Sequence, residues 1–363
     1  MLTMTKKKIS LPLFLCILVG ILFISPALTG CADIDTLDYF PTGHEDDNDN
    51  DNNNSNGVSV AGNITSSGRA PGYYSAVYAG ENEYGAIFLL GGTDGRLDRV
   101  FEDGTVENIP LPVEGRDLTT VFVRPEIILV GGYSGALVYS RDGKVFEHGF
   151  GVGDFNILDI TAFQGKYYAS TTCGAVLSSA DGVSWVVAAQ LSGKPLISIA
   201  AASRHILAIT GDTDIFNSVD GENWEHQNYN RVYYGLAPEL SFRGLVNLYG
   251  SFILTAYQPE EPGTPVIMDS RSGGEVWSNI PIRKINERPA FEFYPLTVNA
   301  VINFWDDLLV ACDNGKILTL DSCATCHQLT EVSSFNLHSI AVSENIIIIA
   351  GDNFEFMILN PDG

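Results

Sequence analysis

The chain has 363 residues, 45% of them apolar and 18% charged, the proportions of an ordinary globular protein. Its formal charge is −24, and Lys6, Lys7 and Lys8 are the only charged residues among the first thirty, so their removal would take it to −27. Such an acidic surface argues against a nucleic acid or an anionic membrane held through charge, and suits solubility, a bound cation or a basic partner.

The chain opens with those three lysines and an apolar run from Leu11 to Ile24. A charged start and a short apolar stretch predict a secretory signal, too short for a comfortable membrane span. It ends in Leu28-Thr29-Gly30-Cys31, which resembles the lipobox of bacterial lipoproteins. The resemblance implies cleavage before Cys31 and attachment of acyl chains, such as palmitate, to its sulfur and new amino group. Burial of those chains would hold the mature protein at a membrane surface of the bacterial cell envelope, outside the cytoplasm. Residues 32–57 follow, with the core His44-Glu45-Asp46-Asp47-Asn48-Asp49-Asn50-Asp51-Asn52-Asn53-Asn54-Ser55-Asn56. Such a segment has almost nothing to bury and is expected to be a disordered tether. Its Asp/Asn alternation resembles a calcium loop, but Gly and Glu do not stand at the spacing of an EF-hand.

From there the chain repeats. Ser140-Arg141-Asp142-Gly143-Lys144-Val145-Phe146, Ser179-Ala180-Asp181-Gly182-Val183-Ser184-Trp185 and Ser218-Val219-Asp220-Gly221-Glu222-Asn223-Trp224 share one pattern, with a weaker copy at Asp103-Gly104. The Asp-Gly pairs at 103, 142, 181 and 220 are 39 residues apart each time. A fixed period of about 40 residues, rich in short strands, marks a propeller or solenoid. The turn has a local logic: Asp accepts bonds from backbone N–H groups, Gly supplies positive φ, Ser adds a hydroxyl, and the aromatic begins the next strand, where it can pack on its own sheet. The motif resembles the Asp-box, or bacterial neuraminidase repeat, of sialidases and photosystem II assembly factor-like propellers. The family form has one more residue between Asp and Gly; here they are adjacent. In that family the box is a structural turn, so the resemblance implies a fold and no reaction.

Each repeat reads as four short strands: Leu118–Val123, Ile127–Gly131, Gly135–Ser140 and Val145–His148 in one, Leu158–Phe163, Tyr167–Thr171, Ala175–Ser179 and Ser184–Ala188 in the next. No stretch of the mature chain shows a helical period. The second strand can be followed seven times, from Phe88-Leu89-Leu90 to Ile347-Ile348-Ile349, which gives about 44 residues per repeat over 58–363. The expected fold is therefore an all-β, seven-bladed propeller of four-stranded blades spanning 58–363, after a signal at 1–30 and a tether at 31–57. A six-bladed ring with one irregular repeat is the alternative. The C-terminal Leu359-Asn360-Pro361-Asp362-Gly363 parallels the turn after a third strand, so the last blade lacks an outer strand. The alternating stretch Gly57-Val58-Ser59-Val60-Ala61-Gly62-Asn63-Ile64 is expected to supply it.

Two insertions break the period, one at Tyr257–Pro265 and one from Arg283 to Pro295. Connections between blades and turns between second and third strands share one propeller face, so both should gather on one rim, where binding loops commonly sit. Tyr229, Tyr233, Tyr234, Tyr257, Phe291, Phe293 and Tyr294 are the candidate contact residues there; the alternative is that they pad outer strands or gaps between blades. The same face is expected to carry Asp94, Asp212, Asp214, Asp313 and Asp352 near the channel mouth, where converging carboxylates could hold calcium. Turns are also rich in Asp for conformational reasons alone.

Cys323-Ala324-Thr325-Cys326-His327 matches the C-x-x-C-H attachment motif of c-type haem. It resembles cytochromes c, where two thioethers hold the porphyrin and the His supplies an axial ligand. Here the motif falls on a short third-to-fourth-strand turn, with His148 and His226 as available second ligands. A disulfide between Cys323 and Cys326, clipping the hairpin in an oxidising compartment, is the other reading, and free thiols a third. Cys173 and Cys312 lie three repeats apart and are expected to be buried thiols.

Sialidases carry a Phe/Tyr-Arg-Ile-Pro element before their boxes; Val123-Arg124-Pro125 is a poor echo of it. No Ser-His-Asp spacing, phosphate-binding Gly loop or metal-ligand cluster stands out. The expectation is a lipid-anchored, non-catalytic binding or assembly module for a protein partner, with no cofactor required. A monohaem electron carrier and a glycan-binding or glycan-hydrolysing propeller are the alternatives.

Overall fold

A computed structural model describes residues 69–360, apart from 84, 229–239, 259–263, 281, 283, 286–287, 290–295, 306 and 321–326. Seven antiparallel sheets follow one another around a ring, and strand order within each follows the sequence. They take residues 73–109, 118–148, 157–190, 196–228, 241–279, 298–331 and 337–359 and are numbered blades 1 to 7. The protein is a seven-bladed β-propeller, and the six-bladed alternative falls. Six blades have four strands. Blade 7 has three among the described residues, and the segment 57–64 expected to complete it lies outside them.

The first strand of each blade stands innermost: Tyr73–Asn82, Leu118–Arg124, Ile157–Phe163, Leu196–Ala201, Ser241–Leu248, Val298–Phe304 and Leu337–Val342. Second strands are covered on both faces by neighbouring blades and read as unbroken apolar runs, as in Ile206–Thr210, where all five residues are buried. The apolar core is accordingly divided into interfaces between blades. Tyr73, Phe88 and Leu90 of blade 1 pack with Ala341, Ile348 and Ala350 of blade 7 and close the ring. Ala76 N donates to Ser339 Oγ at 2.7 Å, and Asn353 N to Pro71 O at 2.6 Å, across the same junction. Each fully buried aliphatic side chain contributes about 1.5–3 kcal/mol, so stability is spread around the circle rather than held at one centre.

The Asp-Gly turns join third to fourth strands. Asp142 Oδ1 accepts the N–H of Lys144 at 2.8 Å and of Val145 at 3.0 Å, and Ser140 Oγ accepts the Gly143 N–H at 2.9 Å. Asp181 takes Val183 and Ser184 N–H groups at 2.8 Å each, and Asp220 takes those of Glu222 and Asn223. Gly143, Gly182 and Gly221 have φ of 69°, 73° and 73°, which glycine adopts without penalty. Because the carboxylate occupies two successive N–H groups, the outer strand begins later than the sequence suggests, at Glu147 rather than Val145 and at Val186 rather than Ser184.

The aromatic after each turn does not lie on its own sheet alone. Phe146, Trp185 and Trp224 each join the core between their blade and the preceding one. Trp185 is fully buried, and its Nε1 donates back to Gly182 O at 2.9 Å. The repeat unit therefore carries its own seal against its neighbour.

Candidate functional site

Every innermost strand carries a β-bulge near its start, at its second residue in six blades and its third in blade 5. One extra residue stands there against the second strand: Tyr74, Thr119, Leu158, Ile197, Arg243, Asn299 and His338 in blades 1 to 7. A bulge re-aims a side chain and breaks the in–out alternation. Repeated seven times, it sets a ring of positions around the channel mouth, on the face that carries the connections between blades; Thr119 of blade 2 is buried there, its hydroxyl turned to Gly131 O and Ile157 O.

The ring is lopsided. Blades 3 and 4 present the aliphatic Leu158 and Ile197, whereas blades 5, 6, 7 and 1 present a polar arc. Arg243 lies over the Tyr257 ring at 4.5 Å. Asn299 Nδ2 donates to Asp313 Oδ1 and to Leu337 O, each at 2.7 Å. His338 Nε2 is 2.6 Å from Asp352 Oδ1, and its ring stacks on Tyr74 at 4.4 Å and 16°. Arg69 covers Tyr74 at 4.6 Å. A guanidinium over an aromatic face is an attractive pair, and Arg243 also hydrogen-bonds the Tyr257 side chain. Burial pushes the Tyr74 phenol up to about 12, against the pull of Arg69 and with the help of Asp352 and Asp117, so the hydroxyl stays neutral, and it donates to Ala70 O at 2.8 Å. Burial also raises Tyr133, beside Arg69 and Asp117.

Beneath the mouth, the residue after the bulge ties the inner strand to the next in blades 1, 3, 4 and 7, where it is Ser75, Asp159, Ser198 and Ser339. Ser75 Oγ accepts the Val121 N–H at 2.8 Å, and Ser198 Oγ the Leu245 N–H at 3.3 Å. Asp159 holds the largest share: its Oδ2 accepts Ser198 Oγ at 2.7 Å and Ile199 N at 3.1 Å, and its Oδ1 accepts Ile160 N at 2.8 Å. Enclosure by the inner strands raises the Asp159 carboxyl to about 6, although its hydrogen bonds pull the other way. These groups are engaged in holding the circle, and so frame the mouth rather than face a ligand.

The sequence-named residues divide. Tyr257 is at the mouth with Arg243. Tyr229, Tyr233, Tyr234, Phe291, Phe293 and Tyr294 lie outside the described residues, as do Cys31, Cys323 and Cys326. His327 begins the outer strand of blade 6, whereas His148 and His226 are on the outer strands of blades 2 and 4, neither of which adjoins it. Asp313 and Asp352 reach the mouth as partners of Asn299 and His338. Asp94 caps nothing there; its backbone N–H donates to Asp117 Oδ1 at 3.0 Å. Asp212 pairs with Lys194 at 2.5 Å, and Asp214 turns outward to His226 at 2.7 Å. The five carboxylates are thus dispersed, and no group of three or more His, Cys, Asp or Glu stands together among the described residues. Cys173 and Cys312 are free thiols on blades 3 and 6, and burial raises Cys312 to about 12.

Arg69, Tyr74, Arg243, Asn299 and His338 were not foreseen from sequence. The signal was present but faint: Tyr73-Tyr74-Ser75, Leu196-Ile197-Ser198 and Leu337-His338-Ser339 each break the two-residue alternation at the same point of the repeat.

On the opposite face a groove of about 690 Å³ runs between blades 1 and 2, past Phe101, Arg99, Arg124 and Arg141. Its arginines are already employed: Arg99 donates to Gly143 O and pairs with Glu107, Arg124 pairs with Glu126, and Arg141 reaches Asp181 O of blade 3 at 3.3 Å.

No protein-family model and no curated protein sequence matches the chain. Solved structures do match, β-propellers among them, at low identity. Virginiamycin B lyase from Staphylococcus aureus superposes with a TM-score of 0.63 at 13% identity, over 82% of this chain and 97% of that one. YCF48 bound to D1 peptide gives 0.60 at 14%, over 81% and 92%, and YCF48 from Cyanidioschyzon merolae gives 0.59 at 12%, over 82% and 98%. The WD40 propeller domain of Doa1 gives 0.59 at 12%, over 83% and 95%. At these identities the likeness is one of fold.

Proposed function

We propose that this propeller is a non-catalytic binding module that receives a peptide segment of a protein partner at its channel mouth, while lipid on Cys31 holds it at the bacterial envelope. The observation that carries the reading is the bulge ring, which aims a guanidinium, an amide, an imidazole and a phenol at one opening. The positive charge of Arg243 suits the carbonyl and carboxylate oxygens of a peptide, the stacked Tyr74 and His338 rings suit its side chains, and Leu158 supplies an apolar side opposite. The serine hydroxyls nearest the mouth, Ser75 and Ser198, accept backbone N–H groups of the neighbouring inner strand and so take part in holding the ring. A propeller of the same fold holds a D1 peptide, and the lipobox-like Leu28-Thr29-Gly30-Cys31 supports the anchor.

A photo-crosslinking residue in place of Tyr257, in the lipid-anchored protein in its own cells, should capture one protein partner, and Tyr74→Ala with Arg243→Ala should abolish the capture. Capture that survives both substitutions, or that occurs only from the opposite face, refutes the mouth as the site. Cys31→Ser should release the protein from the membrane fraction; retention there removes the anchor from the proposal.

A further inference from the structure

The face opposite the mouth carries two largely exposed aromatic residues in turns whose conformation disfavours them. Tyr249 and Trp305 occupy the turn between first and second strands in the adjacent blades 5 and 6. Their φ angles are 51° and 55°. That left-handed conformation suits Gly, Asn or Asp in a two-residue hairpin, and a bulky aromatic is strained in it. Such residues usually earn their place by burial, yet Tyr249 is 82% and Trp305 56% exposed. Strain that persists in rings left this exposed points to a role outside the fold.

The two rings are held, not loose. Asn303 Nδ2 donates to Tyr249 Oη at 3.3 Å and also to the Trp305 carbonyl, so one amide links both turns. Trp305 Nε1 donates to Glu344 O at 3.3 Å, which ties it to the corresponding turn of blade 7. Phe304 backs the indole at a centroid distance of 4.7 Å and an angle of 22°. The rings are therefore positioned before any ligand arrives, which lowers the entropy cost of binding.

We infer that Tyr249 and Trp305 form a platform for a neutral sugar chain. The apolar C–H faces of pyranose rings stack on aromatic faces, and sugar hydroxyls pair with amides and carboxylates. Asn303, Asp307 and Glu344 provide such groups in the same turns. A net charge of −24 disfavours an anionic polysaccharide or an anionic lipid headgroup. Carboxylates beside the indole disfavour insertion into a bilayer, where charge is costly. The site is separate from the channel mouth and stands or falls independently of it.

The test uses the full chain with cellohexaose, chitohexaose and laminarihexaose as probes, and phosphatidylcholine vesicles as the contrasting arm. Of the four tryptophans, Trp185 and Trp277 are buried and Trp224 is half-buried, so the part of the acrylamide quenching change that disappears in Trp305→Asn reports on Trp305. At least one oligosaccharide should shift the emission to the blue and protect it from quencher. Tyr249→Asn and Trp305→Asn place a residue that tolerates positive φ in each turn, so melting temperature should hold or rise. Affinity by titration calorimetry should fall about tenfold or more in each. Protection by vesicles and by none of the sugars overturns the inference, as does unchanged sugar affinity in both variants. A marked fall in melting temperature in both would show the rings to be structural and would also overturn it.

Discussion

Asp159 gives a quantitative handle on how the ring is held. Its carboxyl sits among inner strands and titrates at about 6 in the folded protein, against an ordinary 3.8. The folded state therefore takes up a proton at a higher pH than the unfolded chain. Stability from this group is complete below about 4 and is lost as pH rises through 6. A displacement of roughly two units is worth about 3 kcal/mol at 1.36 kcal/mol per unit, and the residual channel contact of the side chain brings it nearer 2. Asp159→Asn removes the titration while keeping shape and one acceptor. The stability difference between the two proteins should move in favour of the wild type by about 2–3 kcal/mol from pH 7 to pH 4. For a chain this size that corresponds to roughly 5 °C in melting temperature. Carboxylates with lowered values, such as Asp142, are common to both proteins and cancel in the difference. Denaturant unfolding at pH 7, 6, 5 and 4 measures it. A gap that stays constant across that range would refute the placement of a charge-averse carboxyl within the ring.

Other perturbations test the repeat unit. Trp185→Ala empties the seal between blades 2 and 3 and should cost about 3–5 kcal/mol, read by urea unfolding. Gly182→Ala puts a side chain on a φ of 73° and a Cβ 2.6 Å from Ile127 Cδ1, so the melting temperature should fall well below that of an alanine at the open Gly193. Hydrogen bonds from the Asn223 side chain and from the Asn223 and Glu222 N–H groups hold Asp220 far below the usual carboxylate range. Its contribution is present above the unfolded value and lost as pH falls below it, so Asp220→Ala should lower the melting temperature at pH 7 and matter progressively less in strong acid.

The sequence by itself determined the number of blades, the antiparallel meander and the Asp-Gly corners. These depend on chemistry within a few residues: alternation sets strands, and Asp, Gly and Ser set the turns between them. The aromatic seal was half legible. Its position followed from the repeat, but that Trp185 closes the gap to blade 2 required a neighbour to pack against. Tyr257 was legible because an insertion exposed it, whereas its partner Arg243 looked like any strand residue. The five aspartates were misleading as a set, since proximity in the repeat does not bring them together in space: Asp214 turns to His226 on the outer strand, while Asp352 turns to His338 on the inner one. What only the tertiary structure decided is the content of the mouth. Arg243, Asn299, His338 and Tyr74 come from four blades, separated by tens of residues along the chain. A bulge aims each of them, and ring closure between blades 7 and 1 brings them side by side. Local sequence encodes the bulge as a small break in alternation; only closure of the circle makes it a site.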